Sequence, residues 1–72
     1  MTRLIKMGNH EYHVVVHPLL AGGFAFTVVD IDLTGPKVTE ARHDSETRFP
    51  TEQDAYERGS VYARRRARLF RQ

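Results

Sequence analysis

The sequence predicts an α+β domain of the β-β-β-α type, with a three-stranded antiparallel sheet packed on one C-terminal helix. Three observations lead there. The first two thirds of the chain hold short β-branched and aromatic runs separated by Gly and Pro. The last third reads as one amphipathic helix with a marked start. At 72 residues, the chain suffices for one domain and is too short for two.

Each element has its own signal. Residues 1–9 read as a flexible leader ending in the turn-prone pair Gly8-Asn9, which leaves residues 10–72 as the single domain. Glu11-Tyr12-His13-Val14-Val15-Val16-His17 is β-branched and aromatic and reads as the first strand, ended by Pro18, which cannot donate to a ladder. Gly22-Gly23 supplies the positive φ that a chain reversal uses. Residues 24–33 carry the strongest strand pattern, with Phe24, Phe26 and Val28 alternating with Ala25, Thr27, Val29, Ile31 and Leu33. Thr34-Gly35-Pro36 marks a turn. Residues 37–43 form a weaker, polar strand suited to a sheet edge, where charged side chains discourage stray pairing. Residues 44–47 are a polar turn, and Phe49 is expected to close the core near the helix start.

The helix is predicted over residues 51–72. Thr51 is a natural N-cap, Asp54 stands three residues later, and Pro50 limits extension upstream. Acids occupy the early turns and arginines the late ones, both complementing the helix dipole. Steps of about 100° gather Ala55, Tyr56, Gly59, Tyr62, Ala63, Ala67, Leu69 and Phe70 within roughly 160° of arc. Gly59 near the centre of that arc predicts a close helix–sheet approach, because a mid-helix Gly otherwise costs about 1 kcal/mol against Ala. Two residues break the pattern. Arg66 projects into the apolar arc, which predicts that the helix overhangs the sheet after Ala63 or that this arginine snorkels outward. Val61 projects into the polar side.

Composition limits the functional classes. The chain has no Cys, so disulfides and Cys-based zinc sites are excluded. Its 40% hydrophobic and 28% charged content is that of a folded protein. Met1 to Gly8 holds too short an apolar run for a signal peptide, nothing approaches a membrane span, and a cytoplasmic location is expected. Formal net charge is only +2, but six of the eleven Lys and Arg residues lie between Arg58 and Arg71.

If Tyr12, Val14, Val16, Phe24, Phe26 and Val28 meet the helix, the opposite sheet face presents Val15, Ala25, Val29 and Ile31 with His13, His17 and Thr27. That much apolar surface predicts a homodimer, with His13, Val15, His17, Val29 and Ile31 as the candidate dimer face.

No arrangement of residues signals catalysis. His13 and His17 share a strand face but stand about 13 Å apart at ~3.3 Å per residue, so they cannot chelate one ion together. His43 could approach either across strands. Asp30 and Asp32 read as the point where a strand runs out into solvent. Ser45 and Ser60 sit in no nucleophile elbow, and no glycine-rich loop opens a helix. No enzyme activity, metal or cofactor is expected. The run Arg64-Arg65-Arg66-Ala67-Arg68-Leu69-Phe70-Arg71 is the most suggestive feature. Arg58, Arg64, Arg65, Arg68 and Arg71 fan over the solvent side of the helix, as a candidate surface for nucleic acid or an acidic protein partner.

The motifs Tyr12-x-Val14-x-Val16-x-Pro18, Gly23-Phe24-x-Phe26-x-Val28 and Phe49-x-Thr51-x-x-x-Ala55-x-x-x-Gly59 carry a resemblance over residues 11 to 66. The chain resembles small uncharacterised bacterial proteins that run strand–strand–strand–helix with a Phe-x-Thr-x-x-x-Ala helix start. It is similar, more loosely, to the fold of HicB-type antitoxins and to the later part of double-stranded-RNA-binding domains. The resemblance implies the fold and supplies no activity. The expected function is that of a small non-catalytic binding or regulatory module of a bacterial cell, self-associating through its sheet. The alternative is binding of RNA or DNA through the arginine-rich helix face.

Overall fold

The computed structural model describes residues 2–69. Four strands precede the helix: β1 Thr2–Met7, β2 His10–Pro18, β3 Phe24–Asp32 and β4 Thr39–Asp44, followed by α1 Glu52–Leu69. The sheet is an antiparallel meander in the order β1-β2-β3-β4. The fold is therefore α+β, but the sheet has four strands where three were expected.

The added strand comes from the segment read as a leader. Gly8 and Asn9 form a two-residue hairpin connection, with Met7 opposite His10 and Gly8 at φ 61°. Glycine at the first central position suits a tight hairpin turn. The Arg3 and Lys6 charges mask the strand pattern locally, yet alternation places Arg3, Ile5 and Met7 on the helix side and Leu4 and Lys6 on the other. Gly22 and Gly23 adopt positive φ, 101° and 80°, in the β2–β3 connection as expected. After β4 the chain passes back beside β3. Phe24 and Phe49 exchange backbone hydrogen bonds at 2.9 and 2.8 Å, which fixes where the helix begins. Thr51 caps it, its Oγ1 accepting from the Asp54 N–H at 3.1 Å.

The helix lies across one sheet face. Tyr12, Val14, Val16, Phe26 and Val28 form the core with Ala55, Tyr56, Ala63 and Ala67, and Ile5, Met7, Phe24, Phe49 and Tyr62 pack around it. Gly59 is the contact point. A Cβ built there would stand 2.5 Å from Val14 Cγ1 and 3.2 Å from Phe26 Cγ. The expected close approach is thus present, and it accounts for glycine in mid-helix.

The expected overhang is not. Ala67 is only 6% exposed, so the helix stays on the sheet beyond Ala63. Arg66 instead turns towards Asp30, its Nη2 4.0 Å from Asp30 Oδ2. Asp30, expected in solvent, is buried, and His10 Nδ1 lies 3.1 Å from its Oδ1. The helix also buries Ser60, which the apolar pattern did not include. The cause is β1: Arg3 reaches up from that strand, within 3.4 Å of Ser60 Oγ and with its guanidinium 5.4 Å from the centre of the Tyr56 ring. Phe70 and Arg71, assigned to the helix from sequence, lie outside the described residues.

Candidate binding surfaces

Strand pairing orders the open face into rows. Leu4, His13, Val29 and Arg42 follow one another across the four strands, and Lys6, Glu11, Ile31 and Glu40 form the next row. Val15 pairs with Thr27, and His17 with Ala25. Alternation on β2 and β3 therefore brings together all five residues of the candidate dimer face. His17 stands at its exposed end, while His13, Val15, Val29 and Ile31 are half-buried side by side. Among the described residues no other element covers them. Leu4, on the strand that was not expected, extends the apolar strip and is 48% exposed. The His13 Nε2 is shielded without a hydrogen bond, 3.6 Å from Glu11 Oε1. His43 is on the opposite face, opposite Val28, so it does not approach His13 or His17.

Arg58, Arg64, Arg65 and Arg68 are exposed on α1, and among the described residues none of the four takes part in an ion pair. Arg71 lies outside the described residues. The four do not form one even fan. Arg58 and Arg65 stand on the flank of the helix that faces β4, with Val61 and Tyr62 between them. The helix backbone lies over β1, β2 and β3 and not over β4, which it reaches through the Tyr62 side chain. The result is a groove of about 510 Å³ bordered by Phe26, His43, Phe49, Tyr62, Arg58 and Arg65. Its walls are aromatic. His43 and Tyr62 stack at 4.0 Å between ring centres with an 8° tilt, and Phe26 lies 5.8 Å from Phe49 and 6.4 Å from Tyr62. Sequence reading missed the groove. One signal pointed to it: Val61, off the apolar arc, is 36% exposed at its rim.

A third cluster joins the chain's polar interior. His10 stands between two carboxylates, Asp30 at 3.1 Å and Asp32 at 3.9 Å, and its ring stacks on Tyr12. Hydrogen bonding from the Thr34 side chain, and then from the Thr34 N–H, which Asp32 Oδ1 accepts at 2.8 Å, lowers the Asp32 carboxyl below the ordinary value. The Tyr12 hydroxyl is buried and, among the described residues, has no hydrogen-bond partner. Burial raises its pKa above 10.0, helped by the charge of Asp30 and opposed by Arg66. The Tyr56 phenol is raised in the same direction, by burial and then by Glu52, against Arg3. This cluster ties β2, β3 and α1 together at the sheet end where Arg66 disturbed the apolar pattern. Among the described residues no group of three or more His, Asp or Glu side chains is placed to hold a metal ion, and no helix is long and apolar enough to cross a membrane.

The fold and these surfaces define a small α+β domain with one helix-covered sheet face and one open one. No family model, curated protein or solved structure matches the chain.

Proposed function

We propose that this domain is a non-catalytic binding module that self-associates through the open face of its sheet. The observation that carries the reading is the uncovered strip Leu4, His13, Val15, Val29 and Ile31, set side by side by the strand register. Burying such a strip against a second copy removes apolar surface from water, worth about 25 cal/mol per Å², and supplements the small core of a short chain. A C2 pairing uses the same strip on both partners, so one patch serves the whole interface. Light scattering over a concentration series tests it. A dimer is expected that Val29→Asp converts to a monomer with unchanged circular dichroism. A wild-type chain still monomeric at high micromolar concentration would sink the reading.

A second reading, binding of nucleic acid through the arginines of α1, is favoured by four exposed guanidiniums that take part in no ion pair among the described residues. Charges left open in this way are available to phosphates, and binding through them weakens steeply with salt. A gel shift with RNA or DNA at low ionic strength is expected, reduced when Arg64, Arg65 and Arg68 are changed together to Ala. No shift at low salt would eliminate it.

A further inference from the structure

We propose that the groove between β4 and α1 is a subsite for one base of a single-stranded nucleic acid, with Arg58 and Arg65 holding the phosphates on either side. The proposal rests on the second reading above and sharpens it, assigning recognition to the groove and not to the outer arginines Arg64 and Arg68.

Three observations converge on this occupant. The groove is walled by rings: the His43–Tyr62 stack, with Phe26 and Phe49 beside it. A flat base adds to such a wall by stacking, without need of a particular sequence. The charges are placed at its two ends. Arg58 and Arg65 are seven residues apart on one helix flank, about 10.5 Å at 1.5 Å per residue, and Val61 and Tyr62 fill the interval. On the β3 side of the groove the backbone is already satisfied. Ser45 N–H donates to Phe26 O at 2.9 Å, Phe26 N–H donates to Ser45 Oγ at 3.2 Å, and Phe49 and Phe24 bond each other in both directions. At Phe24, Phe26 and Phe49 a peptide would find no free backbone to extend; among the described strands, the unpaired strand edge next to the groove is the outer side of β4. Rings and two guanidiniums dominate the lining, beside one carboxylate, Glu46, and single-stranded nucleic acid is the polymer that presents π-faces and regularly spaced anions together. A duplex keeps its bases stacked inside and offers the groove nothing but phosphates.

Binding of a fluorescein-labelled oligouridine of about 12 nucleotides, within the usual site sizes for such proteins, is to be measured by anisotropy at low salt beside a duplex of equal length. The single strand is expected to bind more tightly than the duplex. Tyr62→Ala should weaken it about tenfold or more, as loss of one stacking platform does, while Tyr62→Phe keeps the ring and should restore most of the affinity. Since Tyr62→Ala also removes a ring packed against the core, Val61→Asp provides an independent arm: it changes an exposed side chain at the groove rim and should also abolish preferential single-strand binding. Equal binding of duplex and single strand, unaffected by Val61→Asp and Tyr62→Ala but reduced by the arginine variants, overturns the groove and leaves the arginine reading standing. Absence of binding to either overturns both.

Discussion

Val14 and Val15 are neighbours in β2, yet the first is fully buried beneath α1 and the second is half-buried on the open face. The same contrast separates Val28 from Val29 in β3. Both pairs have the same chemistry and the same strand propensity, so local sequence cannot distinguish their energetics. One helix resting on one face does. It makes Val14 part of a packed core, where lost volume leaves a cavity, and leaves Val15 as surface whose value depends on a partner. The lesson extends to α1 itself: its β1 flank is closed by Arg3 against Tyr56 and Ser60, whereas its β4 flank is open as a groove.

The largest test of the contrast is Gly59→Val. It drives a branched side chain into Val14 and Phe26, and a loss of about 3 kcal/mol or more is expected in urea unfolding. A helix standing further from the sheet would show a gain in helix propensity instead. Val14→Ala and Val15→Ala compare the faces directly. The first is expected to cost about 2 kcal/mol and the second about 0.5 kcal/mol at concentrations where the chain is monomeric. Equal costs would mean that the open face is covered in solution. Thr51→Ala removes the N-cap and should cost about 1 kcal/mol without altering association; a change in light scattering would contradict the separation of the helix start from the binding surfaces.

Tyr12→Phe has a small expected effect and the most specific pH signature. It removes a buried hydroxyl that lacks a hydrogen bond, so a gain of up to about 1 kcal/mol is expected near neutral pH. The folded-state pKa of Tyr12 is raised above 10.0. Its contribution is therefore intact below pH 10.0 and is lost as pH rises through the folded value. Urea midpoints from about pH 8 to about pH 11 should fall less steeply in Tyr12→Phe than in the wild type. Some alkaline slope should remain, because Tyr56 is shifted the same way.

Much of the fold was legible because periodicity records which face of an element meets the core. Tyr12, Val14, Val16, Phe26 and Val28 were assigned to the helix side from alternation alone, and Thr51 and Gly59 were assigned their roles from residue type and position. The misreadings share a cause. β1 is short and interrupted by charge, so its strand character depends on pairing with β2, a non-local event. Arg66, read as a break in the helix pattern, and Asp30, read as a strand end in solvent, are instead each other's neighbours between α1 and β3. The candidate groove was hidden for the same reason, since His43 and Tyr62 become a stack only when β4 and α1 are brought together.

Sequence by itself determined the helix, its cap, the central strands and the two faces of β2 and β3, because these follow from the 3.6- and 2-residue repeats and from the backbone limits of Gly, Pro and Thr. The tertiary structure alone decided that the sheet has four strands, that Asp30 and Arg66 meet, and that α1 reaches β4 through Tyr62 on His43. Those outcomes depend on contacts between residues far apart in the chain, where the relative placement of whole elements outweighs the preference of any one residue.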